Sequence, residues 1–318
     1  MSDTKVLIIG AGGQVGTELT LALREGCGNQ NVIATDIKEA EVIFLDGIYH
    51  TLNVLDKDAI LDLVKKYKIT HIYHLAALLS ATAEKNPMFG WQLNMEGLLH
   101  VLNIAKDNGI KRMYWPSSIA AFGPTTPKTN TPQDCVMDPN TVYGISKQAG
   151  ERWCEYYFAK YGLDVRSIRY PGLISYKSEP GGGTTDYAIH IFYEALKNGT
   201  YECFLSEETG LPMLYMPDAI KATIDIMEAT AADIKIRSSY NLAGFTFTPK
   251  QLADEIRKHI PEFTITYKPD FRQAIANSWP ASIDDSRARA DWGWKNDYGM
   301  TEMVDDMLKN IPVMMEGR

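Results

Sequence analysis

The chain is poor in cysteine, and none of the four present falls in a Cys-x-x-Cys spacing: Cys27, Cys135, Cys154 and Cys203 are scattered over 318 residues. That excludes a zinc site built on cysteine pairs and a dense disulfide framework, and it fits a reducing compartment. No apolar run approaches the ~18 residues of a bilayer span, so no membrane partner is expected. Positive charge is in the minority, with 32 Lys and Arg against 40 Asp and Glu for a net charge of -8. Such a balance disfavours a nucleic-acid or anionic-membrane surface and leaves a small molecule as the expected partner. There is no internal repeat and no low-complexity tract. His71 and His74 are close in sequence but lack neighbouring carboxylates, so they read as core or surface histidines, and no metal is expected. Met1-Ser-Asp-Thr-Lys leads directly into an apolar strand, which leaves no room for a cleavable leader and points to a cytoplasmic protein.

What is present is a rhythm. With 45% hydrophobic residues the chain can bury a substantial core. Short apolar runs at 6–9, 31–35, 71–75, 113–115 and 165–168 alternate with helical patterns at 14–24, 57–67, 88–107, 143–161 and 186–198. The alternation predicts an α/β fold, a doubly wound parallel sheet with helices on both faces. After about residue 170 it loosens, which divides the chain into a nucleotide-binding part, 1–170, and a smaller substrate subdomain, 171–318, that can return elements to the core. The segment 122–139 carries four prolines and little periodicity, so it reads as an ordered surface loop whose end rims the active site.

Four features carry chemistry. Gly10-x-x-Gly13-x-x-Gly16 follows a strand and opens a helix, where backbone amides can hold a pyrophosphate; Val15 breaks the commoner G-x-G-x-x-G spacing, and a tight turn without a ligand remains the alternative. Asp36 closes the second strand about twenty residues on, where a carboxylate accepts from ribose hydroxyls and repels a 2′-phosphate, favouring NAD; Lys38 weakens that repulsion, and a plain strand-end turn is the alternative. Tyr143 and Lys147 are one helical turn apart, so the lysine ammonium can lie beside the phenol and favour its ionised form, making it a base. Ser118, 25 residues before Tyr143, ends a strand beside Ser117 and can hold the substrate oxygen.

With these residues in place the chain resembles the extended short-chain dehydrogenase/reductase family, which also contains nucleotide-sugar epimerases. The resemblance runs the length of the chain and implies a Rossmann fold binding NAD. It implies cofactor contacts from Gly10, Gly13, Gln14, Val15 and Gly16, from Asp36, from Leu75, Ala76 and Ala77 in His74-Leu-Ala-Ala77, and from Asn94, Tyr143, Lys147 and Tyr170. Later segments, Arg169-Tyr-Pro-Gly172, Gly181 to Tyr187, Ser278-Trp-Pro280 with Asp284-Asp-Ser286, and Asp291-Trp-Gly-Trp294, are similar to the family's L-threonine 3-dehydrogenase branch.

That similarity implies oxidation of L-threonine at its β-hydroxyl to 2-amino-3-oxobutanoate, with Tyr143 as base, Lys147 and Ser118 in support, and nucleotide-sugar epimerase or dehydratase as the runner-up. Ser80, Ser118, Tyr143, Thr184, Thr185, Asp186 and Trp279 are the candidates around the substrate. Asp186 could equally cap the helix that follows it, and Trp279 could be simple packing. The Gly181 to Gly183 run would allow a loop to order over the substrate. Between Pro171 and Met216 the only basic residues are Lys177 and Lys197, few for a sugar nucleotide. The family dimerises through a four-helix bundle, and wide apolar surfaces at Trp91, Leu98, Val101, Leu102 and Ala105, and at Trp153, Tyr156, Tyr157 and Phe158, lead us to expect a homodimer; burial within one subunit is the alternative.

Overall fold

A computed structural model describes residues 4–177 and 183–316. The first run forms β1 (Val6–Ile9), then α1 (Gln14–Cys27), β2 (Val32–Asp36), β3 (Tyr49–Thr51), α2 (Lys57–Tyr67) and β4 (His71–His74). There follow α3 (Ser80–Lys85), α4 (Pro87–Asp107), β5 (Arg112–Tyr114), β6 (Ser117–Ser118), α5 (Val142–Tyr161) and β7 (Val165–Arg166). Strands β3-β2-β1-β4-β5-β7 make one sheet, parallel throughout, with Val6 opposite Val32 on one side and His71 on the other. A strand covered on both faces needs apolar residues at every position, which is why β1 reads as an unbroken apolar run and is buried throughout.

Strand order reverses between β1 and β4, so a crevice opens beyond their carboxyl ends. One face of the sheet packs on Leu98, Val101 and Leu102 of α4 and Ile60 of α2. The chain then continues through β8 (Ile168–Tyr170), β9 (Gly172–Ile174), α6 (Tyr187–Asn198), β10 (Thr200–Cys203), β11 (Leu211–Tyr215) and α7 (Met216–Glu228). Ala219, Ile220 and Ile226 of α7 return to the opposite face of the sheet and pack with Leu19 and Leu23 of α1.

The remaining elements are β12 (Tyr240–Asn241), β13 (Phe245–Phe247), α8 (Pro249–Arg257), β14 (Thr264–Tyr267), α9 (Phe271–Ser278), α10 (Ser286–Trp292) and α11 (Met300–Glu316). They complete three small sheets, β12-β8-β6, β13-β11-β9 and β10-β14. A separate core forms around Tyr187, Phe192, Tyr215, Phe247 and Met303.

Two expectations are refined. The run 165–168 is not one strand: Ser167 separates β7 from β8, which belong to different sheets, and its hydroxyl pairs with that of Ser239 at 2.9 Å. The apolar surfaces of α4 and α5 also split. Leu98, Val101, Leu102, Ala105 and Tyr157 are buried within the subunit, and Phe158 is half-buried beneath the Arg237 guanidinium. Trp91, Trp153 and Tyr156 stay exposed at 39%, 39% and 46%, beside exposed Phe89 and Tyr161.

Candidate active site

A cavity of about 1060 Å³ lies at the crevice, and the glycine turn forms one wall. Gly10 has φ +95, and a Cβ there would stand 2.6 Å from the main-chain nitrogen of Ala76, so the turn passes the β4 end only because that residue has no side chain. Gly13 differs: it is exposed, with an ordinary φ of -85, and its added Cβ would meet nothing nearer than 3.6 Å. The fold does not demand glycine there, whereas a ligand approaching the backbone would. No side chain caps α1 and no acid sits in its first turn, so its N-terminal partial positive charge faces the cavity unopposed by the helix's own residues. A cradle of this shape fits a dinucleotide pyrophosphate, with Gly13, Gln14, Val15 and Gly16 all on the wall.

Asp36 ends β2 beside this turn. Its carboxylate accepts the Gly12 amide at 2.9 Å and the Lys38 amide at 3.1 Å. Asp36, Ala76 and Asn94 lie just off the cavity wall. Asn94 is buried; it accepts from the Leu78 amide at 2.8 Å, donates to the Leu78 carbonyl at 3.2 Å and to Ser146 Oγ at 3.1 Å, tying the segment after β4 to α5. Leu75, Ala77 and Tyr170 do line the cavity.

Helix α5 starts where it must for chemistry, because Thr141 Oγ1 accepts the Gly144 amide at 3.0 Å and fixes its first turn. That turn carries Tyr143, and the next carries Lys147, both facing the cavity with Ser118 of β6. Lys147 Nζ donates to the Pro116 carbonyl at 2.6 Å and stands 4.5 Å from the Trp115 ring centroid and 5.5 Å from that of Tyr143.

The ionisation of the pair differs from the sequence expectation. Burial pushes the Tyr143 phenol up to about 12, against a hydrogen bond with Ser118 that lowers it. Burial drives Lys147 down to about 7, against the raising influence of Cys154 and Glu151. Both shifts penalise the charged form, and neither leaves a poised phenolate.

The remaining substrate candidates line the same cavity. Ser80, Thr184, Thr185, Asp186 and Trp279 all border the cavity. Thr184 is 1% exposed, and its Oγ1 has no hydrogen-bond partner among the described residues. A buried hydroxyl of that kind, on a cavity wall, is suited to a polar ligand. Asp186 precedes α6 without capping it; its carboxylate turns back to accept the Gly183 amide at 2.7 Å. Of the glycine run, Gly181 and Gly182 lie outside the described residues.

Trp279 is held by the proline-rich loop. Lys128 Nζ donates to the Ser278 carbonyl at 2.7 Å, and the Ala281 amide donates back to the Lys128 carbonyl at 2.8 Å. Sequence reasoning missed Glu41, Val42, Ile43 and Met314 on the wall, and did not assign Lys38 or Lys177 to it. Val42, at 84% exposure, carried no helical or strand periodicity that could have marked it.

The NAD dependent epimerase/dehydratase family matches residues 6–243. The mitochondrial L-threonine 3-dehydrogenase of Bos taurus is 48% identical over 306 residues, covering 96% of this chain and 82% of that protein. Among solved structures, an L-threonine dehydrogenase from Cupriavidus necator in its holo form shares 57% identity at a TM-score of 0.94, covering 96% of this chain and 99% of that one. A monomeric L-threonine 3-dehydrogenase from a metagenome, in its apo form, shares 45% identity at a TM-score of 0.94, covering 97% and 99%.

Proposed function

The chain belongs to the NAD dependent epimerase/dehydratase family and stands there with the short-chain L-threonine 3-dehydrogenases, and from that premise we propose that it oxidises L-threonine to 2-amino-3-oxobutanoate with Tyr143 as the base. The observation that carries this reading is the shared cavity: the glycine turn, Tyr143, Lys147 and Ser118, and the small polar set of Ser80, Thr184 and Asp186 all border one space.

Gly10 to Gly16 would hold the NAD pyrophosphate, Asp36 the adenosine ribose, and Lys147 with Tyr170 the nicotinamide half. Bound NAD+ supplies a hydride acceptor that carries positive charge. Ser118 donates to the β-hydroxyl oxygen of threonine and orients it, while Tyr143 removes that hydroxyl's proton. Because burial holds the phenol protonated and brings the lysine down to about 7, the pair becomes a working base only when the closed site concentrates positive charge beside it. Thr184 and Asp186 bind the polar ends of the amino acid, and Trp279 packs on its methyl group.

We further propose a cytoplasmic homodimer joined through the exposed aromatics of α4 and α5, and a division into a cofactor part, 1–170, and a substrate part, 171–318. Exposed Phe89, Trp91, Trp153 and Tyr156 support the dimer, and the four unpaired cysteines suit a reducing compartment.

The test follows NADH at about 340 nm, where the reduced cofactor absorbs, across L-threonine, its stereoisomers, L-serine and UDP-sugars. L-Threonine should be far the fastest. Silence with it, alongside interconversion of UDP-glucose and UDP-galactose, would move the chain to epimerase chemistry.

A further inference from the structure

Glu151 lies one helical turn beyond Lys147 and two beyond Tyr143 on α5, so the three side chains share a face. Its carboxylate is fully buried, yet neither it nor its partner Arg169 lines the cavity. Oε1 accepts from Ser117 Oγ at 2.6 Å and from Arg169 Nε at 2.8 Å, and Oε2 accepts from Arg169 Nη2 at 2.8 Å. Arg169 also donates to the Gln133 carbonyl at 3.0 Å and to Asn241 Oδ1 at 2.9 Å.

The neighbours of these partners are the site itself. Ser117 sits between Pro116, whose carbonyl receives Lys147, and Ser118; Arg169 immediately precedes Tyr170. A buried ion pair is a poor device for stability alone, since an apolar pair of similar volume commonly does as well. Here it fastens the helix bearing Tyr143 and Lys147 to the two strands bearing Ser118 and Tyr170.

It also sets charge. The groups around Lys147 are Tyr143, Glu151 and Cys154 on α5, His74 on β4, the Trp115 ring and Pro116 carbonyl beyond β5, and Arg169 of β8, which is paired with Glu151. Burial keeps the Cys154 thiol and the His74 imidazole neutral, and keeps the Tyr143 phenol protonated up to about 12. Glu151 is the carboxylate in this set, and it favours the ammonium form of Lys147 against desolvation.

We propose that Glu151 is a positioning residue, acting through Lys147: clamped by Arg169 and Ser117, it fixes the α5 face against β6 and β8 and supplies the negative charge that keeps Lys147 an ammonium. This rests on the assignment of Tyr143 as base and Lys147 as its support. Removing the charge makes the ammonium costlier, so Lys147 loses its proton at lower pH; the phenolate then lacks its cation and Tyr143 holds its proton to higher pH. Glu151 itself is two turns from Tyr143, roughly 12 Å along the helix, too far to dominate the phenol directly.

The test compares Glu151→Gln, which keeps size and one acceptor oxygen but loses the charge, with Glu151→Asp, which keeps charge. In Glu151→Gln the limb of kcat/KM set by Lys147 should move down in pH and the limb set by Tyr143 up, each by about one pH unit, with kcat about tenfold lower and KM for L-threonine within about threefold. Glu151→Asp should lose rate while its limbs stay in place. Limbs unmoved in Glu151→Gln, or moved equally in both, would overturn the proposal.

Glu151→Gln leaves Arg169 buried without its counter-charge and could fail to fold. Glu151→Gln with Arg169→Gln removes both charges, and because the lost cation offsets part of the lost anion, limb movement in the same direction but smaller is expected of it. A second readout needs no substrate: ring-carbon NMR of tyrosine-labelled protein with NAD bound, the Tyr143 signal assigned by its loss in Tyr143→Phe, should show the Tyr143 ionisation midpoint higher in the glutamine variants. Wild-type protein inert toward L-threonine would sink the substrate reading while this titration still decides the role of Glu151.

Discussion

The Asp36 carboxylate accepts the main-chain N–H of Gly12 at 2.9 Å, so the side chain that would read the cofactor's ribose also braces the turn that holds its pyrophosphate.

Asp36→Ser should weaken NAD binding and relax discrimination against NADP, since it removes both the brace and the anionic repulsion of a 2′-phosphate. Initial rates with each cofactor at saturating L-threonine measure this. A wild-type preference for NADP would contradict the assignment.

Tyr143→Phe should lower kcat by ~10² to 10⁴-fold with NAD affinity nearly unchanged, because it deletes the proton acceptor and little cofactor surface. Lys147→Ala should impair both kcat and NAD binding. Residual activity in Tyr143→Phe above about a tenth of wild type would remove the phenol from the base's role.

Trp279→Ala should raise KM for L-threonine and reduce the preference for threonine over serine, an effect of ~1 to 3 kcal/mol for one methyl group in an apolar pocket. Lys128→Met should shift the same ratio in the same direction by less, because Lys128 holds the Ser278 carbonyl next to the indole. Unchanged selectivity in both would make Trp279 packing alone.

His74 predicts an acid weakness. It is 1% exposed, both ring nitrogens lack partners among the described residues, and burial lowers it from the usual 6.5 to about 3. The unfolded chain binds this proton below about pH 6.5 while the native state refuses it, so the stability is intact above that value and falls as the pH drops toward 3. Denaturant melts from pH 7 to pH 4 should show a loss on the order of a few kcal/mol, with a smaller slope in His74→Leu. Equal slopes in the two proteins would remove His74 as the cause.

Much of this was readable from the chain because it is local. The run at 6–9 and the helical pattern at 57–67 match β1 and α2 residue for residue, since burial on both faces and a single apolar stripe leave direct marks in sequence. The glycine turn, Tyr143, Lys147 and Ser118 were found by spacing within one element or across adjoining ones. What sequence left out depends on distant partners. Strands β10 to β14 are two to five residues long and take their pairings from elsewhere in the chain, as β12 does from β8. The pairing of Lys147 with the Pro116 carbonyl, and the burial that drives its charge, follow from tertiary packing that helical spacing does not encode. Most of the apolar surface named on α4 and α5 faces inward for the same reason: periodicity marks a stripe without saying which neighbour covers it.

The strap between the proline-rich loop and the Trp279 segment has a consequence for the order in which the molecule is completed. The Lys128 to Ser278 bond joins positions 150 residues apart, and the Asn130 amide to Ser282 Oγ bond joins positions 152 apart. A ribosome delivers the glycine turn, Ser118 and the Tyr143 helix long before it releases the residues that close this strap, so these two bonds of the proline-rich loop wait until residues 278–282 have been made. Contacts of such separation form late and slowly. If Trp279 is the wall that recognises threonine, that wall is completed only after the catalytic helix has been made.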